Sequence, residues 1–274
     1  MDSAWLRIAQ QTLEEWHDST KPYFPAVSRW LITSTFYEDA FRILLQWSEQ
    51  QSYLESHSHL PSIVVSFYLL TSILCMQVCS TLIIAQRFVP ISVVILTAVL
   101  LSQTVLYGLI FDMVFFLRTI SMSGALLLCL SESLLKNEAS SKSMFGLPQL
   151  SESETHQYLQ FIGRVLIVIL FVSFIFNGEW GALRVILSFA GLTACTTVVL
   201  GFQTRLSAMF LFFLLCLLNI LANNWWWSAK YSSSQQHDLA KYDFFQTLSV
   251  VGGLLLLASI GPGKLSYDER KKDE

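Results

Sequence analysis

The sequence predicts an all-α fold, a polytopic membrane helix bundle of about eight transmembrane helices. Three observations carry that prediction. Of the 274 residues, 53% are hydrophobic and 14% are charged, and the mean hydropathy is +0.52, a balance that water-soluble domains rarely show. The apolar residues are gathered into runs of roughly twenty, the length that crosses about 30 Å of hydrocarbon as a helix. Lys and Arg stand at the ends of those runs and form no basic patch, and with a net charge of -3 nothing points to a nucleic-acid partner. Within lipid the backbone must satisfy its own donors and acceptors, so continuous apolar runs of this length fold as helices.

Residues 1–27 lack the long apolar core of a signal peptide and carry Glu14, Glu15 and Asp18, so the first methionine is expected to stay with the mature protein. Trp5, Ile8, Ala9, Leu13 and Trp16 share one helical face opposite Arg7, Gln11 and Glu15. Such an amphipathic segment suits either the cytosolic membrane interface or the side of the bundle. The first span is expected from Ser28 to Trp47, and it carries Glu38, Asp39 and Arg42 in its middle. A charge facing lipid there costs roughly 2.5 to 3.5 kcal/mol on insertion scales, so these side chains are expected to face the bundle interior. Glu38 and Arg42 are spaced i,i+4 and can bond along one helix. A neutralised packing cluster and a functional site both fit that pattern.

Further spans are expected at about Pro61 to Ile84, Val89 to Ile110, Met113 to Leu130, Tyr158 to Phe176, Leu183 to Gly201, Leu206 to Trp226 and Phe244 to Ile260. Between them, Ser48 to Leu60, the serine-rich Ser131 to His156 and Ser228 to Tyr242 read as loops. Small residues such as Ser121, Ser123, Gly124, Gly191, Gly252 and Gly253 let helices approach closely. Cys75, Cys79, Cys129, Cys195 and Cys216 lie inside apolar runs and imply no disulfide framework. Cys75 and Cys79, one turn apart, are read as packing residues and not as a metal pair. His17, His57, His59, His156 and His237 are all expected in loops, and no Ser/His/Asp set, metal motif or phosphate-binding glycine loop can be assembled. No enzymatic activity and no cofactor are expected. Arg29 and Arg164 each open a span, but the sequences then diverge and prove no internal repeat.

The chain ends Lys271-Lys272-Asp273-Glu274. Lysines third and fourth from a free carboxyl terminus match the dilysine signal by which the COPI coat returns membrane proteins to the endoplasmic reticulum, and that signal works only from the cytosol. Residues 1–27 are therefore expected as a cytosolic segment, 28–263 as the transmembrane bundle and 264–274 as a cytosolic tail. Charge agrees with that topology. The cytosolic side receives Arg7, Lys21, Arg29, Arg87, Lys136, Lys142, Arg205, Lys264, Arg270, Lys271 and Lys272, whereas the luminal loops receive Lys230 and Lys241. This is a positive-inside bias. Trp47, Trp180 and Trp225 to Trp227 then gather at the luminal interface as an aromatic belt.

Three blocks carry a more specific signal: LITSTFYEDAFRILLQWSEQQSY from Leu31 to Tyr53, KSMFGLP from Lys142 to Pro148, and HDLAKYDFFQTLSVVGGLLLLASIGPG from His237 to Gly263. With these and its dilysine end, the chain resembles over nearly its whole length the surfeit locus protein four family of endoplasmic reticulum cargo receptors. It departs from the family at Ser123-Gly124-Ala125, where a glycine run is usual, and in the Ser52 to Pro61 stretch. The resemblance implies a receptor that binds soluble secretory cargo in the lumen, enters COPII vesicles and is retrieved by COPI through Lys271 and Lys272. It implies residence in the endoplasmic reticulum membrane, with cycling through the ER-Golgi intermediate compartment and early Golgi. It further implies that cargo is read near a newly exposed amino terminus, which is cationic. A site for such a terminus needs a carboxylate in a partly dry setting beside an apolar wall. Glu38, Asp39, Arg42, Asp112, Arg118, Tyr242 and Asp243 are the expected cargo-binding residues. One carboxylate of the first span would pair with Arg42 or Arg118 and the other would take the amine, with Asp112, Tyr242 and Asp243 at the luminal mouth. The competing reading is a small-solute or ion transporter using the same intramembrane charges.

Overall fold

The protein is described here by a computed structural model covering residues 23–58, 60–145, 158–166, 168–169, 182–200, 204–227 and 234–261. Every regular element among the described residues is helical. In chain order these are α1 (Phe24–Leu45), α2 (Trp47–Ser58), α3 (Ser62–Ile84), α4 (Val89–Leu106), a 3-10 turn (Leu109–Phe111), α5 (Met113–Phe145), α6 (Ala182–Leu200), α7 (Thr204–Ala222) and α8 (Ser234–Ile260). Residues 158–166 are also helical. The polytopic helix bundle expected from the sequence is the fold observed.

Local chemistry sets the helix starts. Proline fixes φ and lacks an N–H, so it fits the first turn, where that donor has no helical partner. Pro25 in α1 and Pro90 in α4 occupy that turn. Among the described residues, four helices are long and apolar enough to cross a membrane: Ser62–Ile84, Val89–Leu106, Phe115–Lys136 and Gln236–Ile260. Phe189–Val199 and Arg205–Leu221 are shorter apolar helices. With 22 residues, α1 spans about 33 Å at 1.5 Å per residue, sufficient length for a crossing despite its charges.

The core lies where α1 and α8 meet. α1 also packs on α3, α3 on α4, and α4 on α5, while α8 also contacts α5 and α7. Ile32, Phe36 and Ala40 of α1, Leu69 and Met76 of α3, Leu96 of α4, Leu126 of α5 and Leu254 of α8 are buried in one cluster. The opposite face of α3 is equally apolar yet exposed, with Ile63, Phe67 and Leu74 turned outward. Helices apolar on both faces suit a lipid surround. The α1–α8 seam is close-packed. A Cβ added at Gly252 would lie 2.7 Å from Leu31 Cβ and 2.8 Å from the Ser28 carbonyl oxygen. The Thr35 hydroxyl donates to the Phe245 carbonyl at 2.6 Å, and the Ser249 hydroxyl to the Ile32 carbonyl at 2.7 Å. These are the small-residue contacts and interhelical hydrogen bonds that join helices in a membrane.

Three stretches expected as loops are helical where described. Ser48 to Leu60 largely forms α2, Ser131 to Phe145 continues α5, and residues 234–242 form the first turns of α8. Each is polar and carries no apolar run, so sequence periodicity gave no span there. In α2, Leu54 is buried, Gln51 Nε2 donates to the Ser62 hydroxyl, and Tyr53 stacks on Tyr107. His57 and His237 accordingly sit on helices. The amphipathic segment before Lys21, residues 262–274 with the dilysine pair, and the His17, His59 and His156 positions lie outside the described residues.

Candidate functional site

Two polar clusters close the opposite ends of the bundle. At the end where α1 begins, Glu132 of α5 gathers Arg29 at 3.3 Å, Lys136 at 2.9 Å and the Gln86 amide at 3.4 Å. Nearby, Gln160 donates to the Gly261 carbonyl at 2.6 Å, and the buried Arg164 donates from Nε to the Gln160 carbonyl at 3.4 Å. The second cluster, where α1 ends and α8 begins, holds nearly all the expected cargo-binding residues.

Glu38, Asp39 and Arg42 fall within one turn of α1, and the helical period turns them towards α4 and α8. The Glu38–Arg42 pair that the i,i+4 spacing allows does not form. Arg42 instead pairs with Oδ1 of Asp39, one residue nearer, and its guanidinium lies 5.2 Å from the centre of the Tyr242 ring. Asp39 Oδ2 accepts from Gln103 Nε2 of α4 at 2.7 Å, so both oxygens of this carboxylate are used. A buried carboxylate held by a guanidinium and an amide is fixed in place.

Glu38 is differently placed. It is 5% exposed, Lys241 Nζ approaches Oε1 at 3.4 Å, and neither carboxylate oxygen accepts a hydrogen bond. Lys241 also lies 5.9 Å from the Trp225 ring centre, within the range of cation–π attraction. The Trp225 indole N–H is buried and has no acceptor.

Arg118, expected beside Glu38 or Asp39, pairs across the bundle with Asp243 of α8. Tyr242 stacks on Phe115 at 6.2 Å between ring centres. Asp112 precedes α5 and is exposed, and its carbonyl accepts the Phe116 N–H at 2.9 Å. At the rim, Gln46 Nε2 donates to Asp238 Oδ2 at 2.8 Å, and the Tyr107 hydroxyl donates to Gln50 at 2.8 Å.

Three carboxylates, Glu38, Asp39 and Asp243, therefore face three cations, Arg42, Arg118 and Lys241. The charges of these six groups balance. Sequence reasoning missed Gln103, Trp225 and the place of Lys241, which was assigned to a loop. A helical period run back from Phe244 to Ser234 puts Asp238, Lys241 and Tyr242 on one face, and that signal would have found the lysine.

Comparison with known proteins adds a second line of information. The model of the SURF4 family matches residues 4–273. The chain is 38% identical over 255 residues to the ER-derived vesicles protein ERV29 of Saccharomyces cerevisiae, covering 92% of this chain and 78% of that protein. It is 36% identical over 266 residues to the Surfeit locus protein 4 homolog of Drosophila melanogaster, covering 97% of this chain and 94% of that one. The Schizosaccharomyces pombe homolog is 36% identical over 253 residues, with 92% and 82% covered. No solved structure matches.

Proposed function

This chain belongs to the SURF4 family, and from that membership we propose that it is a cargo receptor of the early secretory pathway. It binds soluble secretory proteins on the luminal side, passes with them into COPII vesicles, and returns through COPI recognition of Lys271 and Lys272. The second polar cluster is its cargo site, with Glu38, Asp39, Arg42, Arg118, Tyr242 and Asp243 inside it and Asp112 at its edge. The observation that carries the reading is a cluster of three ion pairs containing one buried carboxylate whose oxygens accept no hydrogen bond. A carboxylate desolvated without full pairing is costly to maintain, and such groups mark binding sites in membrane helices.

The test is luminal proximity labelling in cells expressing the wild-type chain, Glu38→Gln, or the double variant Lys271→Ser/Lys272→Ser. The wild type should label secretory proteins, and Glu38→Gln should lose them while keeping its level and location. The double lysine variant should shift towards the Golgi, because each ammonium is a point charge suited to an acidic groove on the coat. Unchanged labelling by Glu38→Gln would remove this cluster from cargo binding, and an unchanged location of the lysine variant would remove the dilysine pair from retrieval.

A further inference from the structure

We propose that Lys241 is a tethered stand-in for the ligand's ammonium group, and that cargo binds by exchanging its own ammonium for that of Lys241 on Glu38. The inference rests on reading the cluster as the cargo site and concerns how that site is filled and emptied.

Charge balance is the first argument. With three carboxylates already facing three cations, a cationic ligand entering the cluster leaves a net positive charge in a poorly solvated place unless a resident cation departs. The three residents differ in how easily they can leave. Arg42 is held by Asp39 and lies over Tyr242, and Arg118 is held by Asp243. A guanidinium on a carboxylate is a directional partner with several donors. Lys241 has one ion pair, at 3.4 Å, in which Glu38 accepts no hydrogen bond. Its side chain is 31% exposed, whereas that of Glu38 is 4% exposed. The flexible four-carbon stem of a lysine thus leads from the buried carboxylate towards the outside, where the ammonium can be hydrated when displaced.

The unsatisfied groups define the ligand's chemistry. Glu38 offers two oxygens that lack donors, and the Trp225 indole offers a buried N–H that lacks an acceptor. The Lys241 ammonium is close to both residues, 3.4 Å from the carboxylate and 5.9 Å from the Trp225 ring centre. Its ammonium is a donor with no accepting capacity, so it leaves the indole N–H unmet. A ligand that satisfies both carries a primary ammonium with a hydrogen-bond acceptor close beside it. A polypeptide amino terminus has that form, the α-amine serving Glu38 and the first carbonyl serving Trp225. A cargo lysine side chain has the ammonium without the acceptor. The Trp225 ring attracts the incoming cation by the same face that attracts Lys241.

Lys241 would then set a threshold. A competitor tethered within reach acts at high effective concentration, and apparent affinity falls by the fraction of time the site is open. If the Lys241–Glu38 pair is closed about nine-tenths of the time, ligand binds about tenfold more weakly than the open site allows. Return of the tethered ammonium also gives bound cargo a built-in path of release.

The experiment uses the purified full-length protein in detergent, with a fluorescent peptide bearing a free amino terminus and an N-acetylated twin as probes. The wild type should bind the first and not the second. Lys241→Gln should bind the free-amine peptide about tenfold more tightly. Lys241→Arg keeps the positive charge that balances Glu38 and supplies a bidentate fork for it, so it should bind the peptide more weakly than wild type. Equal or weaker binding by Lys241→Gln, or wild-type affinity in Lys241→Arg, overturns the stand-in role. In either case, loss of binding in Glu38→Gln would leave the cargo site itself in place. If the wild type binds both peptides alike, or Glu38→Gln binds as wild type does, the cargo-site reading fails and the stand-in falls with it.

Discussion

Arg118 and Asp243 are 125 positions apart in sequence, yet they form an ion pair that joins α5 to α8. Removing one member of such a pair leaves the other poorly solvated and uncompensated, whereas removing both leaves a neutral contact. Arg118→Met should therefore lower stability by about 3 kcal/mol, and the double variant Arg118→Met/Asp243→Leu should recover most of that loss. The five cysteines are all free, and Cys79, Cys129 and Cys195 are buried. A thiol-reactive dye followed during heating in detergent thus reports unfolding directly. A double variant no more stable than Arg118→Met would show that the pair contributes through its shape and not its charge. The same reasoning separates the two neighbouring carboxylates of α1. Asp39 is committed to Arg42 and Gln103 and fixes that guanidinium in place, while Glu38 has only the loose contact with Lys241.

At the scale of elements, the α1–α8 seam depends on the missing side chain of Gly252. An added methyl meets backbone at the Ser28 carbonyl and the Ile32 nitrogen, 2.8 and 2.9 Å away, so the helices themselves must separate. Overpacking of this kind costs roughly 1 to 3 kcal/mol. At Gly163 the nearest atoms belong to the Leu128 side chain at 2.9 Å, which can rotate aside, although the Gly124 carbonyl follows at 3.1 Å. Gly252→Ala should lower the thermal midpoint more than Gly163→Ala, and the reverse order would mean that α1 and α8 are not the tightest seam. α3, α4 and the first half of α5 were legible in the sequence because long apolar runs leave a helix as the backbone's solution in lipid. α2 was not. WSEQQSYLESHS has neither an apolar run nor a turn signal, and its helix is held by contacts with Tyr107 and Ser62 that only the folded chain supplies. The first turns of α8 were hidden for the same reason, and Lys241 with them. Residue types at the site were legible from the cost of intramembrane charge, but their pairing was not. Asp39 and Glu38 are one residue apart, and which of them takes Arg42 is decided by Gln103 of α4 and Lys241 of α8.

Among the described residues, α1, α3, α4, α5 and α8 form an up-and-down bundle with a polar cluster at each end. Arg29 near the start of α1, Gln86 just past α3 and Glu132 in α5 meet at one end. Asp39 and Arg42 far along α1, Gln103 late in α4, Arg118 early in α5 and Asp243 in α8 meet at the other. That alternation is what consecutive membrane crossings require, and it gives both ends a distinct chemistry before any membrane is considered. The end holding Arg29 and Lys136 lies with the segments that carry the greater share of Lys and Arg. In the orientation that we propose from the positive-inside bias, that end faces the cytosol and the cluster of Glu38 and Lys241 opens to the lumen. A cargo site is useful only on the luminal side, and a dilysine tail only on the cytosolic side, so both proposed activities depend on this single orientation. The sequence carries no Asn-x-Ser/Thr acceptor, which makes engineered acceptors unambiguous reporters. Ser232→Asn creates one ahead of α8 and Ala139→Asn creates one in the last part of α5. Glycan addition, read as a gel shift removed by endoglycosidase, should occur in Ser232→Asn and not in Ala139→Asn. The opposite pattern would turn the bundle over, place the Glu38 cluster in the cytosol and end its reading as a luminal receptor site.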